Sequence, residues 1–392
     1  MLDIGRFYLS SDPLIASRVY RLSLRFTLIP VFSDASANML DFHIRHQLQH
    51  TITRVFSGPK PRSQPVRAPA TLTDLINELI NTTNKLVNVR ELSVDCWDLP
   101  PSPSCDSQLL FSSFWTSFGP KLRSLSLSGN LKSYHTFVMN PILDGLQELR
   151  LEFTGNILRV DADADRAILV HDILPFINSL APHLVSLRLW SWTSVDLSAL
   201  FFRLAPFPAL KALNVRTHFN RAFGDASGLK GLICNSSSTL QRIDLRLNPT
   251  GLTVDPLSEE PLSRWLLECF SNEDFFSQLR ILDIYPTNLA VGMEILLGCI
   301  QRTSKSLVEL IVRDRYLQDR EMEVILNAVS SCSNLTYLRM NIRRFDVALT
   351  DRLALMLPGI DRLWLSIGEE TVLVCVPHVD LDRIQPLTIA LY

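Results

Sequence analysis

The sequence predicts a single α/β solenoid over residues 1–392, a parallel β-sheet on the concave face with helices running back along the outside. Three observations predict it. One phrase, an aliphatic residue followed three and five positions later by two more, occurs about a dozen times. Most copies start 24 to 39 residues apart, in or near the 20 to 29 residue period of leucine-rich repeats. Two adjacent 28-residue units also share a helical segment, MEILL from Met293 and MEVIL from Met322, and a leucine at the eleventh position, Leu289 and Leu317.

Taken in order, the first copy is Val19/Leu22/Leu24, which predicts a strand over 20–25. A gap of 70 residues follows, and within it GPKPRSQPVRAP, residues 58–69, has four prolines, three basic residues and no acid, the composition of an exposed disordered loop. TLTDLINELI carries Leu72, Leu75, Ile76, Leu79 and Ile80 at helical spacing, with Thr71 and Asp74 as an N-terminal cap. From Val89/Leu92/Val94 onward the phrase predicts strands over 91–95, 123–128, 148–152, 185–190, 211–216, 241–246, 280–285, 308–313, 336–341 and 361–366. Asn130 and Asn248 stand where such repeats turn the chain. The last copy, Ile384/Leu387/Ile389, contains Pro386, which a terminal strand with an unpaired edge tolerates.

In a strand the second and third anchors of each phrase face the same side, and stacked neighbours bury them. Composition agrees with a core-forming chain: 47% hydrophobic, 20% charged, net charge -2. That near-neutral balance argues against a general nucleic-acid or acidic-membrane binder. Seven cysteines without a CxxC pair point to a reducing compartment, and the sequons at Asn81, Asn235 and Asn334 read as chance. No run approaches a membrane span and the start lacks a signal-peptide core, so a cytoplasmic or nuclear location is expected.

Residues 86–392 resemble the leucine-rich-repeat region of fungal F-box proteins, whose irregular repeats are similar to the ribonuclease-inhibitor horseshoe. FYLSSDPLIASRVYRLSLRF, residues 7–26, looks like that family's junction after the F-box, with Asp12-Pro13 opening a short helix before the first strand. Too little chain precedes Pro13 to hold the F-box, so it is expected to be absent here. The resemblance implies a non-enzymatic protein-recognition scaffold like the substrate-receptor part of a ubiquitin-ligase subunit, with ligase adaptor and cullin as partners only if an F-box lies upstream. The alternative is a stand-alone scaffold or inhibitor of the ribonuclease-inhibitor type.

Three constellations invite chemistry and lose to plainer readings. His43, His46 and His50 would share one helix face, but no thiol is near them and the neighbouring Asp41 falls on the opposite side of such a helix, so no fourth ligand joins them. Asp161, Asp163 and Asp165 resemble the start of a calcium loop, yet Arg166 stands where glycine is required and Asp172 where glutamate is. Cys269, Cys299 and Cys332 fit core packing. No nucleophile elbow, phosphate-binding glycine loop or zinc-protease helix occurs, so neither enzyme activity nor a cofactor or metal is expected.

The opposite sheet face holds positions three, five and seven of each phrase. Ten of these are arginine (Arg21, Arg25, Arg150, Arg188, Arg216, Arg242, Arg246, Arg313, Arg339 and Arg362) and none is lysine. Trp190, Tyr285, Tyr337 and Trp364 join them, the residue types of binding hot spots, and Glu91, Asp95, Glu148, Glu152, Asp244, Asp283 and Glu309 are interleaved. The predicted partner-binding set is Arg188, Trp190, Arg216, Arg242, Arg246, Tyr285, Arg313, Tyr337, Arg339 and Trp364. Seventh positions of consecutive copies, Trp190, Arg216, Arg246 and Tyr285, would form a row roughly 15 Å long at about 4.8 Å per strand. Because arginine pairs bidentately with carboxylate and phosphate, an acidic or phosphorylated protein segment is the expected partner. The competing reading is a solvated ladder of arginine and acid.

Overall fold

The computed structural model describes residues 17–30, 42–46, 72–96, 107–138, 141–154, 162–193, 195–219, 223–247, 256–270, 272, 276–284, 289 and 291–368. The chain divides into two compact units, Met1–Phe207 and Pro208–Tyr392. Both are leucine-rich-repeat solenoids in which a short parallel strand alternates with a helical or looped return.

The first unit contains strands β1 (Arg21–Pro30), β2 (Phe42–His46), β3 (Glu91–Cys96), β4 (Ser124–Asn130), β5 (Glu148–Thr154) and β6 (Ser186–Ser191). Their spatial order is β2-β1-β3-β4-β5-β6, parallel throughout except for the antiparallel β1–β2 pair. The first phrase therefore belongs to the same sheet as the third strand, with Arg21 opposite Glu91 and Arg25 opposite Asp95. Equivalent anchors stand in one register: Leu22, Leu92, Leu125, Leu149 and Leu187 form one continuous row. All five are at most 2% exposed. At roughly 1.5–3 kcal/mol per fully buried leucine, such rows are what bind one repeat to the next. Helices α1 (Leu72–Thr83), α2 (Ser107–Phe118), α3 (Leu131–Phe137), α4 (Ala162–Ile168), α5 (Leu174–Leu180) and α6 (Ser198–Phe202) return the chain. Asn130, expected at a turn, ends β4 and caps α3, its side chain accepting from the Lys132 backbone N–H at 3.1 Å.

Tyr134 on α3 is fully buried, and its hydroxyl bonds to the backbone of both β4 and β5. Its one proton is shared between the carbonyls of Leu127 at 2.7 Å and Glu152 at 3.0 Å, and its oxygen accepts from the Glu152 N–H at 3.1 Å. Burial raises the phenol pKa well above its ordinary value.

The second unit contains β7 (Ala212–Arg216), β8 (Arg242–Arg246), β9 (Ile281–Ile284), β10 (Glu309–Leu317), β11 (Tyr337–Ile342) and β12 (Arg362–Ile367), parallel and in sequential order. Its inner row runs Leu213, Ile243, Leu282, Leu310, Leu338 and Leu363. Returning helices are α7 (Ser227–Ser236), α8 (Pro256–Phe270), α9 (Gly292–Thr303), α10 (Asp319–Val329) and α11 (Val347–Met356). The two similar segments fall on α9 and α10, as their spacing predicts. Gln318 and Glu321 close a reciprocal capping box at the start of α10, and Asp346 caps α11 by accepting from the Leu349 N–H at 2.7 Å.

A shared bond pattern sets the spacing between repeats. The carbonyl just before each strand takes two N–H groups from the next repeat: Gln241 receives those of Arg280 and Ile281, Arg280 those of Val308 and Glu309, and Val308 those of Thr336 and Tyr337. Tyr20, Arg90, Arg123 and Gln147 do the same in the first unit.

All eleven strands predicted over 20–366 are present. One expectation is overturned, because Phe42–His46 is a strand paired with β1 rather than a helix. The helical spacing that suggested a metal site at His43 and His46 therefore does not hold. Asp163 and Asp165 lie in the first turn of α4, where acids complement the positive helix end, and not in a calcium loop. Cys269, Cys299 and Cys332 are buried at 0%, 2% and 6% exposure, and burial pushes the Cys299 thiol up to about 11. The loop at 58–69, His50, Asp161, Asn248, Tyr285 and the phrase from Ile384 lie outside the described residues.

Candidate functional site

On the first unit the strand face away from the helices begins with small and charged residues. Ser23, Ser93, Ser126, Arg150 and Arg188 occupy one row, and Arg25, Asp95, Ser128, Glu152 and Trp190 the next. At its outer end Arg21 pairs with Glu91, and Arg25 with Asp95 at 3.5 Å. The aromatic end is tightly built. The Arg150 guanidinium lies 3.9 Å from the centre of the Trp190 ring and donates from Nη2 to Glu152 at 2.8 Å. Trp192 donates from Nε1 to the other Glu152 oxygen at 2.9 Å. Trp190 is thus held in a cation–π stack, presenting a ring already fixed in orientation. Arg188 is half-buried beside it in the Arg150 row.

On the second unit three rows run across the strands. The first is Ala212, Arg242, Ile281, Glu309, Tyr337 and Arg362. The second is Asn214, Asp244, Asp283, Ile311, Arg339 and Trp364, and in the third Arg216 stands opposite Arg246. Two arginines directly opposed would repel. What holds them is the pair beneath, because Asp244 and Asp283 are register partners, each 1% exposed.

Asp244 Oδ2 accepts from Asn214 Nδ2 at 2.6 Å and Arg216 Nη2 at 2.9 Å. Asp283 Oδ2 accepts from Arg313 Nη2 at 2.7 Å and Arg246 Nη2 at 3.4 Å. Arg246 also stands 3.5 Å from Asp244 Oδ1. Neither Asp244 Oδ1 nor Asp283 Oδ1 has a hydrogen-bond partner. Loss of solvation, then the charge of Asp244, push the Asp283 carboxyl up to about 7 against the opposing pull of Arg246, Arg216 and Arg242. At the far end Arg362 lies over the Tyr337 ring at 4.7 Å and pairs with Glu309 at 3.0 Å, while Arg339 lies 5.0 Å from the Trp364 ring centre.

Of the ten predicted binding residues, the structure places Arg216, Arg242, Arg246, Arg313, Tyr337, Arg339 and Trp364 on the strand face of the second unit, and Arg188 and Trp190 on that of the first. Tyr285 lies outside the described residues. Sequence reading put the acids on the same face as the arginines but not beneath them. The signal was present, because aspartates at the fifth position of consecutive copies must face each other across neighbouring strands, an arrangement that requires cations above it.

A groove of about 550 Å³ lies at the strand entries of the second unit, lined by Gln241, Gln278, Arg280, Ser306, Asn334 and Thr336 among others. Its lining holds one charge and no thiol, imidazole or carboxylate. Among the described residues no cluster of His, Cys, Asp and Glu could hold a metal, and no helix is long and apolar enough to cross a membrane.

No family model matches the sequence, and no curated protein matches it. The matches among solved structures are of low identity. A Bacteroides fragilis protein is 14% identical, with 81% of this chain and 69% of that one covered and a TM-score of 0.36. The yeast complex of Rad7 and Elc1 gives 15%, 80%, 71% and 0.43. A complex of TLR13 with a single-stranded RNA gives 16%, 72%, 44% and 0.33.

Proposed function

We propose that the protein is a non-enzymatic recognition scaffold that holds a protein partner on its strand faces, in the manner of the substrate-receptor part of an F-box ubiquitin-ligase subunit. The observation that carries this reading is the second unit's strand face. On β7 to β11 five arginines (Arg216, Arg242, Arg246, Arg313 and Arg339), apart from Arg315, which pairs with Glu321 on α10, outnumber two buried carboxylates, and Glu309 is already occupied by Arg362. The excess positive charge fits an acidic or phosphorylated segment, and Tyr337 and Trp364 beside it supply apolar contact.

Affinity purification of the tagged protein with mass spectrometry tests the reading. Co-purifying ligase adaptor and cullin support the receptor role, whereas a target without them favours the stand-alone scaffold. A partner whose affinity is indifferent to Arg242→Ala and Trp364→Ala would remove the strand face from the account. Arg242 suits this test because its side chain is half-buried and makes no hydrogen bond or ion pair among the described residues, while its backbone N–H bonds to the Lys211 carbonyl.

A further inference from the structure

Two carboxylates facing each other below the protein surface cannot both carry full charge without cost. Asp244 and Asp283 are such a pair, and the Oδ1 of each is buried without a hydrogen bond, that of Asp244 having only Arg246 Nε at 3.5 Å and that of Asp283 no ion pair among the described residues. A single proton on one of these oxygens removes one of two facing buried charges and turns an unsatisfied acceptor into a donor. The charged groups around the pair are Arg216 from β7, Arg242 and Arg246 from β8, and Arg313 from β10, with Arg339 further along the row on β11. Three of them, Arg216, Arg246 and Arg313, direct guanidinium nitrogens at the carboxylates while remaining 14–19% exposed, so the same groups face both the pair and the solvent.

We propose that Asp244 and Asp283 act as a proton-sharing pair, and that an anionic partner segment docking on Arg216, Arg246 and Arg313 is accompanied by uptake of one proton by that pair. The proposal rests on the reading that the partner docks on this face. An incoming carboxylate or phosphate competes for the guanidinium nitrogens and brings a negative charge toward Asp283. Both effects make the ionised pair less favourable, and a proton from solvent takes the place of the lost arginine contact.

The sign follows from linkage. Docking raises a carboxyl that already titrates near neutrality in the free protein, to about 7 at Asp283, so proton uptake occurs above that pH. Affinity is therefore greatest below pH 7 and falls as pH rises, by up to about tenfold per unit until the bound-state pKa is passed.

The test uses the whole chain and an N-acetylated hexaglutamate peptide, whose own charge is constant between pH 6.5 and 8.5 because no α-amino group is left to titrate. Calorimetric titrations at both ends of this range, in two buffers of different ionisation heat, give affinity and proton uptake together. The expected result is several-fold tighter binding at pH 6.5 and uptake approaching one proton at pH 8. Asp283→Asn should bind at least as tightly as wild type at pH 6.5, with neither pH dependence nor uptake, and Asp244→Asn is the second variant should the first fail to fold.

The infrared carboxylic-acid band of the free protein checks the pair without any ligand, and it should disappear between pH 6 and 8.5 in wild type but be missing throughout in Asp283→Asn. Binding that needs Arg246 and Arg313 yet shows the same pH response in wild type and Asp283→Asn overturns the coupling and leaves the scaffold reading intact. Binding unchanged by Arg246→Ala with Arg313→Ala, read at a temperature where melting shows the double variant folded, or no binding of the wild type at millimolar peptide, overturns the anionic docking on which it rests.

Discussion

Strands β4 and β8 are built from the same phrase and carry opposite surfaces. Along β4 burial alternates strictly, with Ser124, Ser126 and Ser128 half-buried and Leu125, Leu127 and Gly129 buried. Along β8 the alternation fails, because Asp244, which faces away from the helices, is as buried as the Ile243 and Leu245 that flank it. The difference does not come from the backbone, which is parallel and in register in both places. It comes from neighbours: Ser126 has the short Ser93 on one side and on the other Arg150, whose guanidinium is turned to Glu152 and Trp190, whereas arginines from three strands close over Asp244 and Asp283. Depth on a repeat face is thus set by the length and direction of the surrounding side chains, and the same phrase can carry either an open polar surface or an ionic layer beneath its surface.

The largest expected effect breaks that layer. Arg313→Ala removes the shortest ion pair to the two buried aspartates and should destabilise the second unit by about 3 kcal/mol in denaturant melts. A loss below about 1 kcal/mol would mean that the layer behaves as an exposed ladder. The pH dependence sharpens the point. Unfolded aspartate titrates near 3.9 and folded Asp283 at about 7, so the folded state holds the extra proton between these values. Asp283 should therefore make the protein lose stability as pH rises from about 4 through 7 and have no further effect above, and Asp283→Asn should flatten that part of the profile.

Next in size is Tyr134→Phe in the first unit, which strips the hydroxyl serving Leu127 and Glu152 and should cost about 1–3 kcal/mol. Trp190→Ala and Arg242→Ala should each weaken partner binding by about 2 kcal/mol with little change in melting. Arg246→Ala would be a poor substitute, since it contacts both buried carboxylates and its loss mixes folding with binding. The smallest effect is expected at Ser126→Ala, within about 0.5 kcal/mol in either direction. A larger loss there would erase the contrast between the two regions.

The strands and the strand-face residues were legible in the sequence because the phrase has a fixed internal spacing and a leucine in the wrong register would expose the whole row. β2 was not, since Phe42–His46 carries no aliphatic phrase and owes its pairing to the end of β1. The ionic layer was half legible. Sequence position places Asp244 beside Asp283, but which of two same-face residues lies under the other depends on side-chain reach across strands. The Arg150–Trp190 stack escaped for the same reason, because neither residue's own repeat contains the other.

The doubly used carbonyl before each strand has a consequence for how such a chain changes length. Deleting residues 307–334, a 28-residue unit, would bring the Thr336 and Tyr337 N–H groups to the Arg280 carbonyl in place of those of Val308 and Glu309. Leu338 would then stand beside Leu282, an aliphatic pair like the one it replaces. Every seam in this stretch offers the same backbone socket, so whole units can be lost or duplicated in the gene without redesigning the seam, and only side-chain pairs that cross it, such as Arg313 on Asp283, need replacing. The length of the recognition surface is then a variable that recombination can reach in one step, while its chemistry changes one residue at a time.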